Sequence, residues 1–208
     1  MLFRSVTKVI MDFVKEKKRK IYGGFALNIM LKDKDPKDAI YKETSLPDID
    51  FYSPDPINDI LELCNRLHDK KFKLVEGREA MHDGTYKVFV NMNDYIDISY
   101  VPKNIYNRMP FLVVNGVHLI HPHFMAIDLY RMFTDPLSSY WRLEKSIPRF
   151  HLLLKHYPFI KMNKELKLID KRPKDDTFKR MYTLLDDFLV KKKTVLRSEE
   201  HTSELQSP

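Results

Sequence analysis

The fold of this chain is decided by a short apolar run that leads through two glycines into a helical pattern, Tyr22-Gly23-Gly24-Phe25-Ala26-Leu27-Asn28-Ile29-Met30-Leu31. Two residues without a Cβ allow a ligand or another part of the chain to approach the backbone closely. The free N–H groups at the start of a helix favour negative charge. The stretch therefore predicts a strand, a tight turn, and a helix whose first turn can bind phosphates.

Three aspartates follow this stretch, each beside apolar residues. Asp48 and Asp50 flank Ile49, and alternate residues of a strand point to the same side, so the two carboxylates project together. Asp97 lies between two isoleucines in the same alternation, which places its carboxylate outward on a second strand. Such a cluster is costly unless cations occupy it. Oxygen ligands favour Mg²⁺, with Mn²⁺ as a substitute, so Asp48, Asp50 and Asp97 are the candidate metal ligands and catalytic residues.

Neither motif is specific by itself. A glycine pair is more often a tight turn than a nucleotide site, and the similar triplet Asp33-Lys34-Asp35 lacks apolar flanks and is interpreted as a solvated loop. The joint occurrence, in order, of strand–glycine–helix, acidic strand and second acidic strand is more informative. It indicates two-cation chemistry on a nucleoside triphosphate.

These motifs resemble those of the DNA polymerase β-like nucleotidyltransferases. Within that superfamily they are most similar to the poly(A) polymerase catalytic subunits of nucleocytoplasmic large DNA viruses, mimivirus-like and poxvirus-like. The resemblance covers residues 21 to 150. Four stretches carry it: Tyr22–Asn28, Pro47–Pro54, Asp97–Pro102 and Thr134–Lys145.

The resemblance implies an α/β (α+β) fold, with a mixed-sheet nucleotidyltransferase core and flanking helices. It implies template-independent addition of AMP from ATP to RNA 3′ ends, as in mRNA polyadenylation, by two-metal-ion catalysis. Asp48, Asp50 and Asp97 become the metal-binding carboxylates, and Gly23 with Gly24 the phosphate loop. Two features depart from the family pattern. The gap before the first aspartate is longer than in many members, and Phe25 brings no hydroxyl beside the glycines.

The expected partners are ATP and an RNA 3′ end, with no membrane. For the whole protein the resemblance implies a further partner, either a second copy of the chain or a viral processivity subunit. The expected location is the cytoplasmic viral factory or the virion. Two alternatives stay open: another polymerase β-like nucleotidyltransferase acting on a tRNA end, a protein or a small molecule, or a non-catalytic RNA-binding scaffold. A scaffold has no reason to retain three converging acids.

Composition agrees with this reading without making it more specific. The 208 residues carry a formal net charge of +7, which suits polyanionic partners but also plain solubility. The basic stretch 15–20 is interpreted as a solvated turn, with contact to RNA as the alternative. Cys64 is the only cysteine, which excludes an internal disulfide and cysteine-based zinc sites and suits a reducing compartment. With neither a membrane-length apolar run nor a signal-peptide core, we expect a soluble intracellular protein.

Periodicity predicts the remaining elements. A helix is expected through Val6 to Val14 and another after Pro56, with the Asn115-Gly116 pair closing a hairpin. The other predicted strands are 72–75, 86–92 and 95–101, which gives a mixed sheet.

Several residues of the following region are candidates with two interpretations. His121 and His123 fit either a zinc site or, preferably, a helix cap by His121. Arg142 and Lys145, on one face of the helix after Asp135-Pro136, either bind triphosphate or RNA, or pair with nearby acids. Trp141 is interpreted as a core residue, with a base-stacking platform as the alternative. Pro148 is predicted to kink or end that helix.

The predicted domain organisation has three parts. Residues 1–157 form the nucleotidyltransferase catalytic domain, and residues 158–196 form a linker and the helical start of a truncated second domain. Residues 197–208 resemble a translated adapter sequence and are interpreted as a non-native tail.

Overall fold

The structure is a computed structural model that describes residues 2–42, 45, 47–159 and 176–192. The chain divides into two compact units, Met1–Ile160 and Lys161–Pro208. The described part of the second unit is one helix, which lies in the region predicted to contain the helical start of a second domain. The predicted non-native tail at 197–208 and nearly all of the predicted linker after residue 158 lie outside the described residues.

The described elements alternate between helices and short strands. The strands are β1 (Lys20–Tyr22), β2 (Ile49–Ser53), β3 (Val75–Glu79), β4 (Thr85–Val90), β5 (Asn93–Tyr100), β6 (Phe111–Val114) and β7 (Val117–Ile120). The helices are α1 (Leu2–Glu16), α2 (Gly23–Lys34), α3 (Pro56–Asp69), α4 (Lys103–Arg108), α5 (Pro122–Phe133), α6 (Pro136–His156) and α7 (Asp176–Lys192). A 3₁₀ turn at Pro36–Asp38 follows α2.

The seven strands form one mixed sheet in the order β3-β4-β5-β2-β1-β7-β6. The pairs β2–β5 and β1–β7 are parallel, and the other four pairs are antiparallel. The mixed-sheet α/β fold is therefore confirmed. The central position of β2, between β1 and β5, places the acidic strand beside both the glycine turn and the second acidic strand.

The core lies on the sheet face opposite the aspartates. Ile49 and Phe51 are almost completely buried, whereas Asp50 between them is half-buried. Phe13 of α1 packs on Phe51 with ring centroids 6.2 Å apart. Burial of one such side chain contributes about 1.5–3 kcal/mol. The apolar face of β2 thus anchors the strand while its other face stays polar.

Of the predicted solvated basic turn, Lys20 is buried and Arg19 is half-buried. The Arg19 guanidinium binds both carboxylate oxygens of Asp59 at 2.7 Å, and Ser53 donates a hydrogen bond to the same carboxylate. Lys20 is 5% exposed and donates to the Met109 carbonyl at 2.8 Å. The solvated-turn interpretation is wrong for these two residues, because buried acceptors satisfy their donors.

Two local predictions are confirmed by backbone geometry. Asn115 and Gly116 join β6 to β7 with φ values of 51° and 76°, the left-handed region that a two-residue hairpin turn of this kind requires. His121 caps α5, because its Nδ1 atom accepts a hydrogen bond from the His123 backbone N–H at 3.2 Å. That contact explains the spacing of the two histidines without a metal.

Three predictions about local structure are wrong. The strand predicted at 72–75 begins only at Val75, because Leu74 has a φ of 49°, outside the extended conformation of a strand. The predicted end of the helix at Pro148 is not found, because α6 continues to His156 and packs against α2 and α5. Trp141 is 60% exposed.

The exposure of Trp141 follows from the periodicity of α6. Its buried positions Ser139, Ser146 and Leu153 are seven residues apart and form one stripe. Trp141 lies two residues beyond the first of them, and at about 100° per residue it points away from that stripe. Its ring contacts only the edge of the exposed Tyr140 among the described aromatic pairs.

In the described part of the chain, none of the helices has the length and apolar character needed to cross a membrane.

Candidate active site

The three predicted aspartates meet at one point of the sheet. Asp48, Asp50 and Asp97 each offer a carboxylate oxygen, and these oxygens all lie within 4.8 Å of one another. Among the described residues this is the only group of three or more acidic, histidine or cysteine side chains arranged to hold a metal ion. Asp48 is exposed and the other two are half-buried, so the cluster is open on one side.

Backbone pairing produces this convergence. β2 and β5 are parallel and in register, so Asp50 lies directly beside Asp97 on the neighbouring strand. On the other side of β2, Asp50 pairs with Tyr22, the residue before the glycine pair. Asp48 immediately precedes β2 and keeps the two-residue spacing to Asp50. The strand alternation predicted from the sequence is found at Asp50 and Asp97, and the three acids converge.

The carboxylates perturb one another strongly. Burial, followed by repulsion from Asp48 and Asp97, raises the pKa of Asp50 to about 8. Burial also raises the pKa of Asp97, although an ion pair with Lys87 opposes the rise. Excess negative charge of this kind, presented by oxygen donors alone, fits a hard divalent cation.

Lys87, which the sequence analysis missed, is the internal counter-ion of the cluster. It lies opposite Asp97 in the β4–β5 ladder, and its Nζ atom is 2.6 Å from Asp97 Oδ1 and 2.5 Å from Asp94 Oδ2. Burial lowers its pKa, but the hydrogen bonds to these two carboxylates outweigh that effect and raise it. The alternation of β4, with Val88 buried next to it, was the signal that could have placed Lys87 on the acidic face.

The glycine pair forms the turn between β1 and α2. Gly23 has a φ of +70° and begins α2, and Tyr22 at the N-cap makes no side-chain capping hydrogen bond. A Cβ on Gly23 would lie 2.4 Å from Asp50 Oδ2. The absence of a side chain at Gly23 thus allows the start of α2 to lie against the carboxylate cluster. Uncapped N–H groups at a helix start are suited to bind phosphate.

The space beside Gly24 is filled by two side chains that the sequence analysis did not single out. A Cβ on Gly24 would lie 2.3 Å from the Tyr41 hydroxyl and 3.0 Å from Arg149 Nη1. Arg149 lies on α6, more than a hundred residues along the chain from the glycines. No spacing rule in the sequence could indicate that contact.

Arg142 and Lys145 lie on the same helix but are exposed to solvent. Neither forms an ion pair with an acid in the part of the chain that the structure describes. Their alternative role as partners of Asp135 or Glu144 is therefore not found. Their predicted contact with nucleotide or RNA stays a prediction.

A glycine turn at a helix start, set beside three converging carboxylates on a mixed sheet, defines the nucleotidyltransferase class. The model of the family described as poly(A) polymerase catalytic subunit matches residues 8–139. The chain belongs to that family.

Individual relatives agree with the family assignment. A protein of Acanthamoeba polyphaga mimivirus is 43% identical over 166 residues, which cover 79% of this chain and 28% of the relative. A protein of African swine fever virus is 33% identical over 160 residues, covering 74% of this chain and 33% of the relative. Both are described as "Putative poly(A) polymerase catalytic subunit".

A solved structure is also similar. The crystal structure of the Megavirus polyadenylate synthase matches with a TM-score of 0.76 and 41% sequence identity, covering 90% of this chain and 37% of that one. The chain thus spans about a third of the length of these relatives.

Proposed function

We propose that the chain forms the catalytic core of a polynucleotide adenylyltransferase that adds AMP from ATP to RNA 3′ ends without a template. One observation carries the proposal: Asp48, Asp50 and Asp97 meet beside Gly23 in a member of the poly(A) polymerase catalytic subunit family. The formal net charge of +7 supports it, because a positive field attracts both substrates.

The carboxylate cluster fits divalent cations, for which we propose Mg²⁺, with Mn²⁺ as a substitute. The donors are all oxygens, and Asp50 holds a raised pKa that a bound cation would relieve. Asp48, Asp50 and Asp97 would hold the ions. When bound, the ions supply Lewis acidity that lowers the pKa of an attacking hydroxyl and offsets the charge of a triphosphate.

The remaining steps fall to groups of the chain itself. The backbone N–H groups of Gly23, Gly24 and the first turn of α2 orient the triphosphate. The RNA 3′-hydroxyl attacks the α-phosphorus of ATP, and pyrophosphate leaves. Asp97 accepts the hydroxyl proton on the oxygen that Lys87 does not bind. The exposed Arg142 and Lys145 contact phosphates of the nucleotide or the RNA.

For the whole protein we keep the prediction of a second copy or a viral processivity subunit as partner. The viral factory and the virion stay the predicted locations.

An extension assay tests the proposal. The purified chain is incubated with a 5′-labelled RNA primer, Mg²⁺ and each of the four nucleoside triphosphates in turn. We expect long products with ATP alone and none in EDTA. Addition of only a few nucleotides would indicate a tRNA-end enzyme, and absence of extension with every nucleotide would contradict catalysis.

Two variants make the assay specific for the carboxylate cluster. Asp50→Asn removes one acid of the cluster and should abolish extension. Asp33→Asn removes an exposed acid at the far end of α2 and should not change it. Extension by Asp50→Asn at the wild-type rate would refute the assignment of the site.

A further inference from the structure

At the start of α2, an acidic and a basic side chain lie against two consecutive glycines. The Asp50 carboxylate lies against Gly23, and the Arg149 guanidinium lies against Gly24, each close enough to collide with or crowd a Cβ. Consecutive Cα atoms are about 3.8 Å apart. A triphosphate with one end at the carboxylate cluster and its chain along this turn therefore meets a guanidinium at its other end.

Arg149 has no carboxylate to neutralise it in the part of the chain that the structure describes. Its side chain is half-buried, donates a 3.3 Å hydrogen bond to the Tyr41 hydroxyl, and lies over the Tyr41 ring at 5.3 Å from the centroid. Among the described residues, these contacts leave most of the five guanidinium donors without a hydrogen-bond acceptor. A planar, permanently charged fork with unused donors matches the oxygens of a phosphate.

Contacts within the chain hold the segments on both sides of Arg149 in place. The buried Asn28 side chain on α2 accepts hydrogen bonds from the backbone N–H groups of Ile40 and Tyr41, at 3.0 and 3.1 Å. This holds Tyr41 across the glycine turn. Further along α6, Lys155 and His156 both bind Asp38 of the 3₁₀ turn. A group held in its binding geometry loses little entropy when the ligand arrives.

We propose that Arg149, supported by Tyr41, binds the β- and γ-phosphates of the incoming nucleotide and so makes the site selective for triphosphates. This inference rests on the proposed function, since it deepens the same site. The phosphate contact nearest Gly24 is thereby assigned to Arg149. Arg142 and Lys145 precede it by seven and four residues on the same helix, and both are more exposed.

Equilibrium binding tests the inference without relying on catalysis. Affinities of the chain for ATP, ADP and AMP are measured with Mg²⁺ by calorimetry, for the wild type, Arg149→Gln and Arg149→Lys. Charge-assisted hydrogen bonds of this kind are worth about a 10- to 100-fold change in affinity. We expect Arg149→Gln to weaken ATP binding by that factor and AMP binding by less than about twofold. Arg149→Lys keeps the charge without the fork and should be intermediate.

Arg108→Gln is the matched control, because Arg108 is an exposed arginine on α4 with no assigned role. It should bind all three nucleotides as the wild type does. Circular dichroism and thermal melting show whether each variant is folded. If Arg149→Gln does not fold, Arg149→Lys is used in its place. An equal loss for ATP and AMP, unchanged ATP binding in both Arg149 variants, or no detectable binding of ATP by the wild type would overturn the inference.

The same proteins in the extension assay separate this inference from the proposed function. If the wild type extends RNA with ATP and the Arg149 variants bind ATP normally, the triphosphate contact is wrong and the function stands. If the wild type binds ATP with the expected dependence on Arg149 but extends no RNA, the contact stands and the function falls.

Discussion

Lys87 lies directly across the β4–β5 ladder from Asp97, with its ammonium nitrogen 2.6 Å from a carboxylate oxygen. Within the described residues, Asp97 is the only member of the carboxylate cluster that forms such an ion pair. The protein thus neutralises part of its own acidic cluster on one side, whereas neither Asp48 nor Asp50 pairs directly with a basic side chain in the described part of the chain. Lys87 and a bound cation therefore compete for the same carboxylate.

Replacing Lys87 by Met should lower the stability of the metal-free protein and increase the stabilisation that Mg²⁺ provides. Without the ammonium, Asp97 repels its neighbours at full strength until a cation binds. A loss of about 1 kcal/mol corresponds to a melting temperature roughly 2–4 °C lower for a chain of this size. Thermal melts with and without Mg²⁺ measure both effects, and Lys103→Met on α4 is the exposed control. An unchanged Mg²⁺ effect would contradict the competition.

Gly23→Ala should impair metal binding and RNA extension much more than Gly116→Ala. Both glycines have positive φ values, 70° and 76°, so each substitution pays a similar backbone strain of about 1–2 kcal/mol. Only at Gly23 would the new Cβ also meet a carboxylate oxygen, whereas at Gly116 nothing lies within 4 Å. Urea denaturation measures the loss of stability that both substitutions share. Mg²⁺ binding measures the additional effect of the Cβ at Gly23. Equal Mg²⁺ affinities in the two variants would show that the approach of Asp50 to the turn is unimportant.

Asp59→Ala should destabilise the fold by about 3–5 kcal/mol, because it leaves the Arg19 guanidinium buried without its partner. The two side chains are 4% and 15% exposed, and Ser53 at the end of β2 also loses its acceptor. The control is Glu62→Ala, which removes a partly exposed partner of Arg66 and should cost about 1 kcal/mol or less. Denaturation midpoints in urea compare them. Similar losses would mean that burial does not control the strength of these pairs.

The metal-free protein should lose stability as the pH rises toward 8. The pKa of Asp50 is about 8 in the folded chain against an ordinary value of 3.8, so its contribution is complete below about pH 4 and is lost as pH rises through 8. The Asp50→Asn variant has no ionisable group at this position, so its stability should lack this pH-dependent contribution. Melting in EDTA at a series of pH values gives the comparison. If the stability difference between the two proteins does not change with pH, the raised pKa is wrong.

Much of the fold and the carboxylate cluster could be predicted, because both follow from patterns local to the chain. The two-residue alternation around Asp50 and Asp97 is a property of single strands, and the Asn115-Gly116 hairpin depends on two adjacent residues. Lys87 could be placed on the acidic face from the alternation of β4, but not opposite Asp97. The short turn alone would pair Lys87 with Ile96, and a register shift between Val88 and Phe89 moves it to Asp97. The structure and the comparisons confirm the fold and the family on this basis.

The other part of the site could not be predicted, because it depends on contacts between distant segments. Arg149 reaches Gly24 only because α6 packs on α2, and Tyr41 reaches it only through the buried side chain of Asn28. Trp141 was misplaced for a related reason. The face of a long helix that becomes buried depends on which neighbour it meets, and large side chains do not reveal that neighbour.

The in-register parallel pairing of β2 with β5 has an evolutionary consequence. Because main-chain hydrogen bonds set Asp50 beside Asp97, apolar neighbours can drift in sequence without altering the separation of the two acids. A single inserted residue in either strand would instead rotate one acid to the opposite face. Length variation among homologues should therefore be confined to the connecting segments and absent from these two strands.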